Sequence, residues 1–143
     1  MLIKEMMTHN VETIRPEATV QDAAKQMKAL DVGSLPVCDG KKIQGMITDR
    51  DITLRAVADG RNPAQTKVTE VMTDELHYCF DDQLVHDAAI TMQRYQIRRL
   101  PIVNRAKELV GIVSLGDLAV DTDNQNLAGA TLETISVPAK PER

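Results

Sequence analysis

Two four-residue segments carry side chains that could bind a nucleotide. They are Thr48-Asp49-Arg50-Asp51 and Ser114-Leu115-Gly116-Asp117, and each follows an apolar stretch at the start of a predicted helix. The free N–H groups and the dipole of a helix start attract an anion, and a Thr or Ser hydroxyl adds a donor to phosphate. An Asp three residues later can accept hydrogen bonds from both hydroxyls of a ribose. This combination predicts a nucleotide site.

The same spacing also has a purely structural explanation. A hydroxyl at a helix start accepts an N–H of the first turn, and the acid three residues later favours the positive end of the helix. For one isolated copy, capping is the better explanation. Two copies in equivalent places keep nucleotide binding open, and one residue can serve both roles.

Both segments belong to a repeat that covers most of the chain. Residues 3–52 and 68–118 follow one pattern at a shift of 65, which becomes 66 after an insertion near Lys107. Two similar units in tandem usually bury their open faces against each other, and a ligand can bind where they meet. The predicted division is a first repeat over residues 1–60, a linker over 61–67, a second repeat over 68–122, and a C-terminal helix and tail over 123–143.

Each repeat is predicted to contain a strand, a helix, a pair of strands and a second helix. The first helix is indicated by a helical apolar stripe, with a capping box at Thr19 and Asp22. The stripe residues, predicted to be core, are Val20, Ala23, Ala24 and Met27, matched by Val85, Ala88, Ala89 and Met92. The predicted strands are residues 11–15, 34–38 and 42–47, then 76–80, 100–103 and 109–113. A last helix is indicated by Leu127, Thr131, Leu132 and Ile135.

Two prolines restrict where their strands can lie. Pro36 and Pro101 fall within the first strand of each predicted hairpin, at residues 34–38 and 100–103. Proline has no N–H to donate to a neighbouring strand. We therefore expect these strands to be edge strands, or to be irregular near a ligand.

The second helix of the first repeat, at about residues 49–58, has two apolar faces. Ile52 and Ala56 lie on one side, whereas Leu54, Val57 and Ala58 lie on the other. One face can serve the core of the chain, and the other favours self-association, most simply as a two-fold homodimer. The alternative is that residues 60–67 cover the second face.

Composition excludes several classes of protein. The 143 residues are 43% hydrophobic and 27% charged, which is typical of a folded soluble protein. A net charge of −4 argues against nucleic acid as a partner. Neither a signal peptide nor a window of the roughly 18 apolar residues that a membrane span requires is present, so we expect a cytoplasmic protein that does not enter membranes. Cys38, Cys79 and the three His lack metal-ligand spacing, so no metal site is expected.

The ordered, duplicated marks resemble a known family. The chain resembles a tandem pair of cystathionine-β-synthase (CBS) domains, called a Bateman module, and in particular its stand-alone bacterial members. The resemblance covers roughly residues 3–120. Its marks, all repeated downstream, are Asp22-Ala23-Ala24 with Met27, Leu35-Pro36-Val37, and Gly45-Met46-Ile47-Thr48-Asp49-Arg50-Asp51.

The resemblance implies an α+β fold in which two pseudo-symmetric β-α-β-β-α repeats pack sheet to sheet, with a C-terminal helix added. It also implies clefts that bind adenosine compounds such as AMP, ADP, ATP, NAD(H), S-adenosylmethionine or cyclic dinucleotides, with no cofactor required. The implied roles are ribose binding for Asp51 and Asp117, phosphate contact for Thr48 and Ser114, and positions bordering the base for Thr13 and Tyr78.

Three arginines lie near the predicted phosphate positions. Arg50 is inside the first motif, and Arg98 and Arg99 precede Leu100-Pro101. They could form charge-assisted bonds to phosphate, or they could be solvated surface charges. Because Tyr78 and its neighbours are bulkier than the segment at Thr13, and Leu115 replaces Asp49, we expect the first site to be the better occupied.

These observations favour a regulatory module that senses an adenine nucleotide and acts on a separate, unidentified effector protein. A constitutive dimerisation or scaffold protein with empty clefts is the alternative. An enzyme is the weakest hypothesis, because no nucleophile with a neighbouring base can be identified by motif.

Overall fold

A computed structural model of the chain describes residues 1–121 and 125–136. The chain divides into two compact units, each built on one repeat. The first unit is Glu12–Leu76, and the second combines Met1–Val11 with the chain from His77 onward. Each unit therefore takes in the short leading segment that the sequence pattern assigns to the other repeat. The predicted tail, from residue 137, lies outside the described residues.

The unit Glu12–Leu76 contains a helix, a β-hairpin and a second helix. Helix α1 (Val20–Leu30) precedes strands β1 (Ser34–Asp39) and β2 (Lys42–Thr48), which pair antiparallel with a bulge at Val37/Cys38. Helix α2 (Asp49–Ile52) continues as a π-helical stretch over Thr53–Val57, where the N–H of Ala58 donates to the carbonyl of Thr53 at 2.9 Å. A 3-10 turn, Val68–Glu70, ends the element order of this unit.

The second unit repeats this order and adds a helix. It starts with a 3-10 turn, Ile3–Glu5, and continues with β3 (Cys79–Phe80) and α3 (Val85–Tyr95). Strands β4 (Arg99–Val103) and β5 (Leu109–Ser114) pair antiparallel, and β3 pairs parallel with β4. Helix α4 (Leu115–Asp121) follows, and α5 (Gln125–Ser136) is the predicted C-terminal helix.

Each unit has its own hydrophobic core, formed by the inner face of its first helix and its strands. In the first unit this core contains Ile14, Val20, Ala23, Met27, Leu35, Val37, Ile47, Ala56, Val68 and Val71. In the second unit it contains Ile3, Met6, Met7, Cys79, Val85, Ala88, Ala89, Met92, Leu100, Ile102, Val113 and Leu118. The helical stripe is thus confirmed as core with one exception, because Ala24 is exposed.

Glycines in β2 and β5 allow the segments around Thr73 and Thr8 to pair closely with these strands. A Cβ on Gly45 would lie 2.5 Å from the carbonyl oxygen of Thr73, and one on Gly111 would lie 2.9 Å from that of Thr8. Thr73 exchanges backbone hydrogen bonds with Met46 at 2.8 and 3.0 Å. Only glycine permits this approach of two backbones, so these positions determine where Thr73 and Thr8 lie.

Two strand predictions need correction. The segment at residues 11–15 is not a strand, because only Ile14 forms a bridge, to Val37. The strand that contains Pro101 is not an edge strand, because β4 is the central strand of its sheet. Proline is tolerated there since β3 pairs with β4 only at Ile102 and Val103, beyond the proline.

Candidate functional site

The first motif lies at the junction of β2 and α2, where Thr48 and Asp51 form a reciprocal capping box. The N–H of Asp51 donates to Thr48 Oγ1, and the N–H of Thr48 donates to Asp51 Oδ2, both at 3.0 Å. The capping role predicted for these residues is therefore realised. A capped hydroxyl and carboxylate are also held in a fixed orientation, which suits them to bind a ligand.

Asp51 has further polar neighbours in the same unit. Its side chain is 12% exposed, with Arg55 Nε at 4.0 Å from Oδ1 and Thr73 Oγ1 at 3.4 Å from the same oxygen. Arg55 in turn donates to the carbonyls of Val71 and Met72 at 3.2 and 3.1 Å. Thr73 is a site residue that the sequence analysis missed. Its repeat partner Thr8 was visible in the pattern, but the close pairing at Gly45 that brings Thr73 to Asp51 was not.

Asp49 gives the first site a negative charge. Its backbone N–H donates to the carbonyl of Gly33 at 2.9 Å, and a Cβ on Gly33 would lie 3.2 Å from the Asp49 carboxylate. The acid therefore lies over Gly33 at the start of the hairpin. A negative charge in this position repels a phosphate placed beside Thr48.

The second motif has the same backbone arrangement with different side chains. The N–H of Asp117 donates to Ser114 Oγ at 3.2 Å, and the N–H of Ser114 donates to Asp117 Oδ2 at 2.8 Å. Leu115 donates to the carbonyl of Arg98 at 2.9 Å, as Asp49 does to Gly33. Arg98 thus takes the place of the glycine, and Leu115 takes the place of the acid.

A cavity of about 590 Å³ opens beside this second motif. It brings together three of the predicted site residues, namely Arg98, Arg99 and Ser114. The other described residues that line it are Leu115, Gly116, Ala119, Gly129 and Leu132. The last two belong to α5. Leu132 was part of the helical spacing seen in the sequence, whereas Gly129 was not, and the place where the helix docks was not visible either.

Helix α5 is fixed against α3 by polar and apolar contacts. Gln93 Nε2 donates to the hydroxyl of Thr131 at 3.0 Å, and Thr131 is fully buried. Gln96 Nε2 donates to the carbonyl of Thr134 at 3.4 Å. Ile135 packs on the core of this unit. These contacts place Gly129 and Leu132 at the cavity.

Arg98 and Arg99 are exposed, and within the described ranges no acidic side chain pairs with either of them. Two guanidinium groups beside a hydroxyl therefore supply several donors to an anion. Arg105 differs, since it forms a bidentate pair with Asp82 at 2.7 and 2.9 Å. That pairing lowers the pKa of Asp82 and raises the pKa of Arg105.

The other predicted site residues are not brought into these contacts. Thr13 is half-buried, and its carbonyl accepts from Gln26 Nε2 at 2.9 Å. Tyr78 packs edge-on against Phe80 with ring centroids 5.7 Å apart. Arg50 is exposed on α2. In the part of the chain that the structure describes, Tyr78 and Asp117 do not line the cavity, and no hydrogen bond links Thr13 to Thr48.

The two cysteines are buried. Burial raises the pKa of the Cys38 thiol to about 11 and also raises that of Cys79, whose Sγ lies 3.3 Å from Thr91 Oγ1. Both thiols are therefore poor nucleophiles at neutral pH.

Over residues 1–121 and 125–136, no group of three His, Cys, Asp or Glu side chains is arranged to hold a metal ion. No helix in the same ranges is long and apolar enough to cross a membrane.

Comparison with known proteins identifies the repeats. Residues 3–57 and 68–120 each match the CBS domain. The CBS domain-containing protein YhcV of Bacillus subtilis is 47% identical over 134 residues, covering 94% of both chains. Two enzymes among the relatives match over only 23% and 22% of their own length. What these enzymes share with this chain is a small part of each enzyme.

Solved structures agree with this assignment. Hypoxic response protein 1 of Mycobacterium tuberculosis is 32% identical over 117 residues, 81% of each chain. A crystal structure of Hypoxic Response Protein I with two coordinated zinc ions has a TM-score of 0.78 at 30% identity, covering 85% of this chain and 99% of that one. A hexameric CBS-CP12 protein from bloom-forming cyanobacteria has a TM-score of 0.72 at 32% identity, covering 88% of this chain and 73% of that one.

The resemblance inferred from the motifs is thus confirmed, together with the mixed helix and strand fold of its two repeats. CBS-domain proteins generally bind adenosine compounds and act as regulators. With two matched repeats that cover most of its length, this chain belongs to the CBS-domain family.

Proposed function

We propose that this protein is a regulatory module that binds an adenine nucleotide in the cavity of the second repeat. The observation that carries the proposal is the cavity itself, of about 590 Å³, lined on its polar side by Arg98, Arg99 and Ser114. Cavities that hold small molecules are about 300–1,000 Å³ in volume. A nucleotide has both the size and the anionic group that such a cavity accepts.

The distribution of charge supports phosphate binding at this repeat. Arg98 replaces Gly33, and Leu115 replaces Asp49, on a backbone with the same hydrogen bond. At these two positions the second site gains a positive charge and lacks a negative one. Arg99 in place of Ser34 adds a further positive charge, and Gly116 in place of Arg50 removes one. From the segment at Thr13 and from Leu115 in place of Asp49, we expected the first site to be the better occupied. That order stays a prediction, and the charges favour the opposite one.

The same charges rank the candidate ligands. AMP, ADP, ATP and NAD(H) all carry phosphate that two guanidinium groups can bind. S-adenosylmethionine carries a sulfonium and no phosphate, so it suits this cavity less well. Asp117 uses Oδ2 to cap α4 and does not line the cavity, so the ribose-binding role that the resemblance implies for it stays a prediction.

Regulation requires that the ligand bind one conformation or one complex better than another. The effector would be a separate protein that recognises one of these states. The coupling between ligand and effector must be reciprocal, so the effector would change nucleotide affinity by the same factor.

Titration calorimetry on nucleotide-stripped protein tests the proposal. AMP, ATP, NADH and S-adenosylmethionine are titrated separately into the wild type, into an Arg98→Gln/Arg99→Gln double variant and into an Arg94→Gln control. Arg94 is exposed on α3 and does not line the cavity. We expect the double variant to lose about tenfold or more in affinity for AMP, equivalent to about 1.4 kcal/mol. Absence of binding by all four compounds to folded wild type would contradict the proposal.

A scaffold function is the second candidate, and one observation favours it. Leu54 and Val57 are 48% and 65% exposed on the stretch after α2, whereas Ala56 between them is buried. Residues 60–67 thus leave this apolar face uncovered in the part of the chain that the structure describes. Self-association through this face, as a homodimer or a larger assembly, would keep the protein functional with empty cavities.

A further inference from the structure

We propose that helix α5 forms one wall of the nucleotide site, so that ligand binding and the docking of α5 are coupled. The inference rests on the proposed function, because it assigns regulation to the same cavity. Helix α5 follows the second matched segment, residues 68–120, and so lies outside both CBS domain matches. A helix outside the repeats would then report whether the site is occupied.

The cavity has two chemically different sides. Arg98, Arg99 and Ser114 form the polar side, at the start of β4 and the end of β5. Leu115 and Ala119 of α4 and Leu132 of α5 form an aliphatic side. A phosphate bound by the arginines directs the uncharged nucleoside towards the aliphatic side. Leu132 is 46% exposed in the chain alone, so a nucleoside packed against it would bury apolar surface.

Hydrogen bonds link α5 to α3 in this place. The hydroxyl of Thr131 accepts from Gln93 at 3.0 Å, and the carbonyl of Thr134 accepts from Gln96 at 3.4 Å. A ligand that contacts α5 only when it is docked must stabilise the docked state. By reciprocity, docking strengthens ligand binding by the same factor as the ligand stabilises docking, and a change that undocks part of the population lowers the apparent affinity in proportion to the docked fraction.

Gly129 offers a direct test of whether α5 borders the ligand. It lines the cavity, and a Cβ built on it has no heavy atom within 4 Å. A larger side chain at this position can therefore enter the cavity without a clash inside the chain. Replacing a helical glycine also raises helix propensity, so the variant is expected to fold.

The test is titration of AMP, and separately ATP, into Gly129→Leu and Gly129→Ala proteins. We expect Gly129→Leu to weaken binding at least tenfold, because its side chain takes up space at the cavity wall that the ligand needs, and Gly129→Ala to change it less than twofold. Wild-type affinity in Gly129→Leu would overturn the inference. If Arg98→Gln/Arg99→Gln still lost binding in that case, the proposed function would stand and only the role of α5 would fall. If folded wild type bound neither nucleotide, both would fall.

A second measurement tests coupling with a readout other than affinity. Amide hydrogen exchange in α5 is followed with and without AMP for the wild type, Thr131→Val and the control Thr134→Val. The Thr134 hydroxyl bonds within its own helix, to Ala130 at 3.0 Å. We expect AMP to slow exchange in wild-type α5 several-fold. Thr131→Val should speed exchange in the absence of AMP, and saturating AMP should slow it again, while the control keeps wild-type exchange. Exchange in α5 that does not respond to saturating AMP would overturn the coupling.

Discussion

The N–H of Leu115 donates to the carbonyl oxygen of Arg98 at 2.9 Å, and this bond has a counterpart of equal length between Asp49 and Gly33. The two junctions of strand and helix therefore share one backbone arrangement. Their side chains differ in charge, with an arginine in place of a glycine and a leucine in place of an acid. The two repeats thus present similar frames with different preferences for anions.

A substitution that introduces the acid of the first repeat into the second should weaken phosphate binding. We expect Leu115→Asp to reduce AMP affinity by about 1 kcal/mol relative to Leu115→Asn, since a negative charge near the phosphate raises the energy of the bound anion. The neutral Asn variant controls for the packing that Leu115 loses. Calorimetry on both variants makes the comparison, and equal affinities would argue that the phosphate does not lie at this junction.

Binding at exposed arginines should depend on salt. Arg98 and Arg99 are exposed, so counter-ions screen their attraction to phosphate. We expect AMP affinity to fall several-fold between about 0.05 M and about 0.5 M NaCl, while the affinity for uncharged adenosine changes little. The two titration series decide this, and a parallel loss for adenosine would point to a general effect of salt on the fold.

The close backbone pairing of Thr73 with β2 should make Gly45 intolerant of a side chain. A Cβ there would lie 2.5 Å from the Thr73 carbonyl, so we expect Gly45→Ala to lower the free energy of unfolding by about 1–3 kcal/mol. Gly116→Ala is the matched control, because its nearest atom is Ser114 Oγ at 3.6 Å. Urea denaturation gives both values. Equal midpoints would show that the backbone at Thr73 does not approach Gly45 so closely.

Cys38 should make stability fall at alkaline pH. Burial raises the pKa of its thiol to about 11, whereas in the unfolded chain a thiol ionises near about 8.5. Above this lower value the unfolded state releases a proton that the folded state keeps. The contribution of this thiol to stability is therefore lost as pH rises from about 8.5 towards 11, and it is constant below that range. Urea midpoints at pH values inside and below the range measure the loss. Cys38→Ala should show a smaller loss, and an identical one would assign it to other groups.

The exposed apolar face after α2 should drive self-association. Leu54 is 48% exposed, so Leu54→Glu should leave the stability of the single chain within about 0.5 kcal/mol of wild type. We expect the variant to sediment as a smaller species. Leu84→Glu is the control, since Leu84 is 52% exposed in the other unit. An unchanged sedimentation coefficient for Leu54→Glu would exclude this face as the interface.

Much of the fold could be predicted because its signals are local. The capping box at Thr19 and Asp22 is confirmed, with bonds of 3.1 and 3.2 Å, and the hairpin strands begin and end within one residue of the predicted bounds. The strand predicted at residues 11–15 was wrong, because only Ile14 of this segment pairs, with Val37, and the length of such a pairing depends on a partner distant in the sequence. The π-helical stretch after α2 had no sequence signal either.

The sequence by itself determined the duplicated motif, the reciprocal caps at Thr48 and Ser114, and the family, because each depends on residue types at short, regular spacing. Only the tertiary structure decided that Thr73 contacts Asp51 and that α5 lines the same cavity as Arg98 and Arg99. These contacts join residues far apart in the chain. They depend on backbone approach at Gly45 and on the burial of Thr131, which are properties of packing that no local pattern encodes.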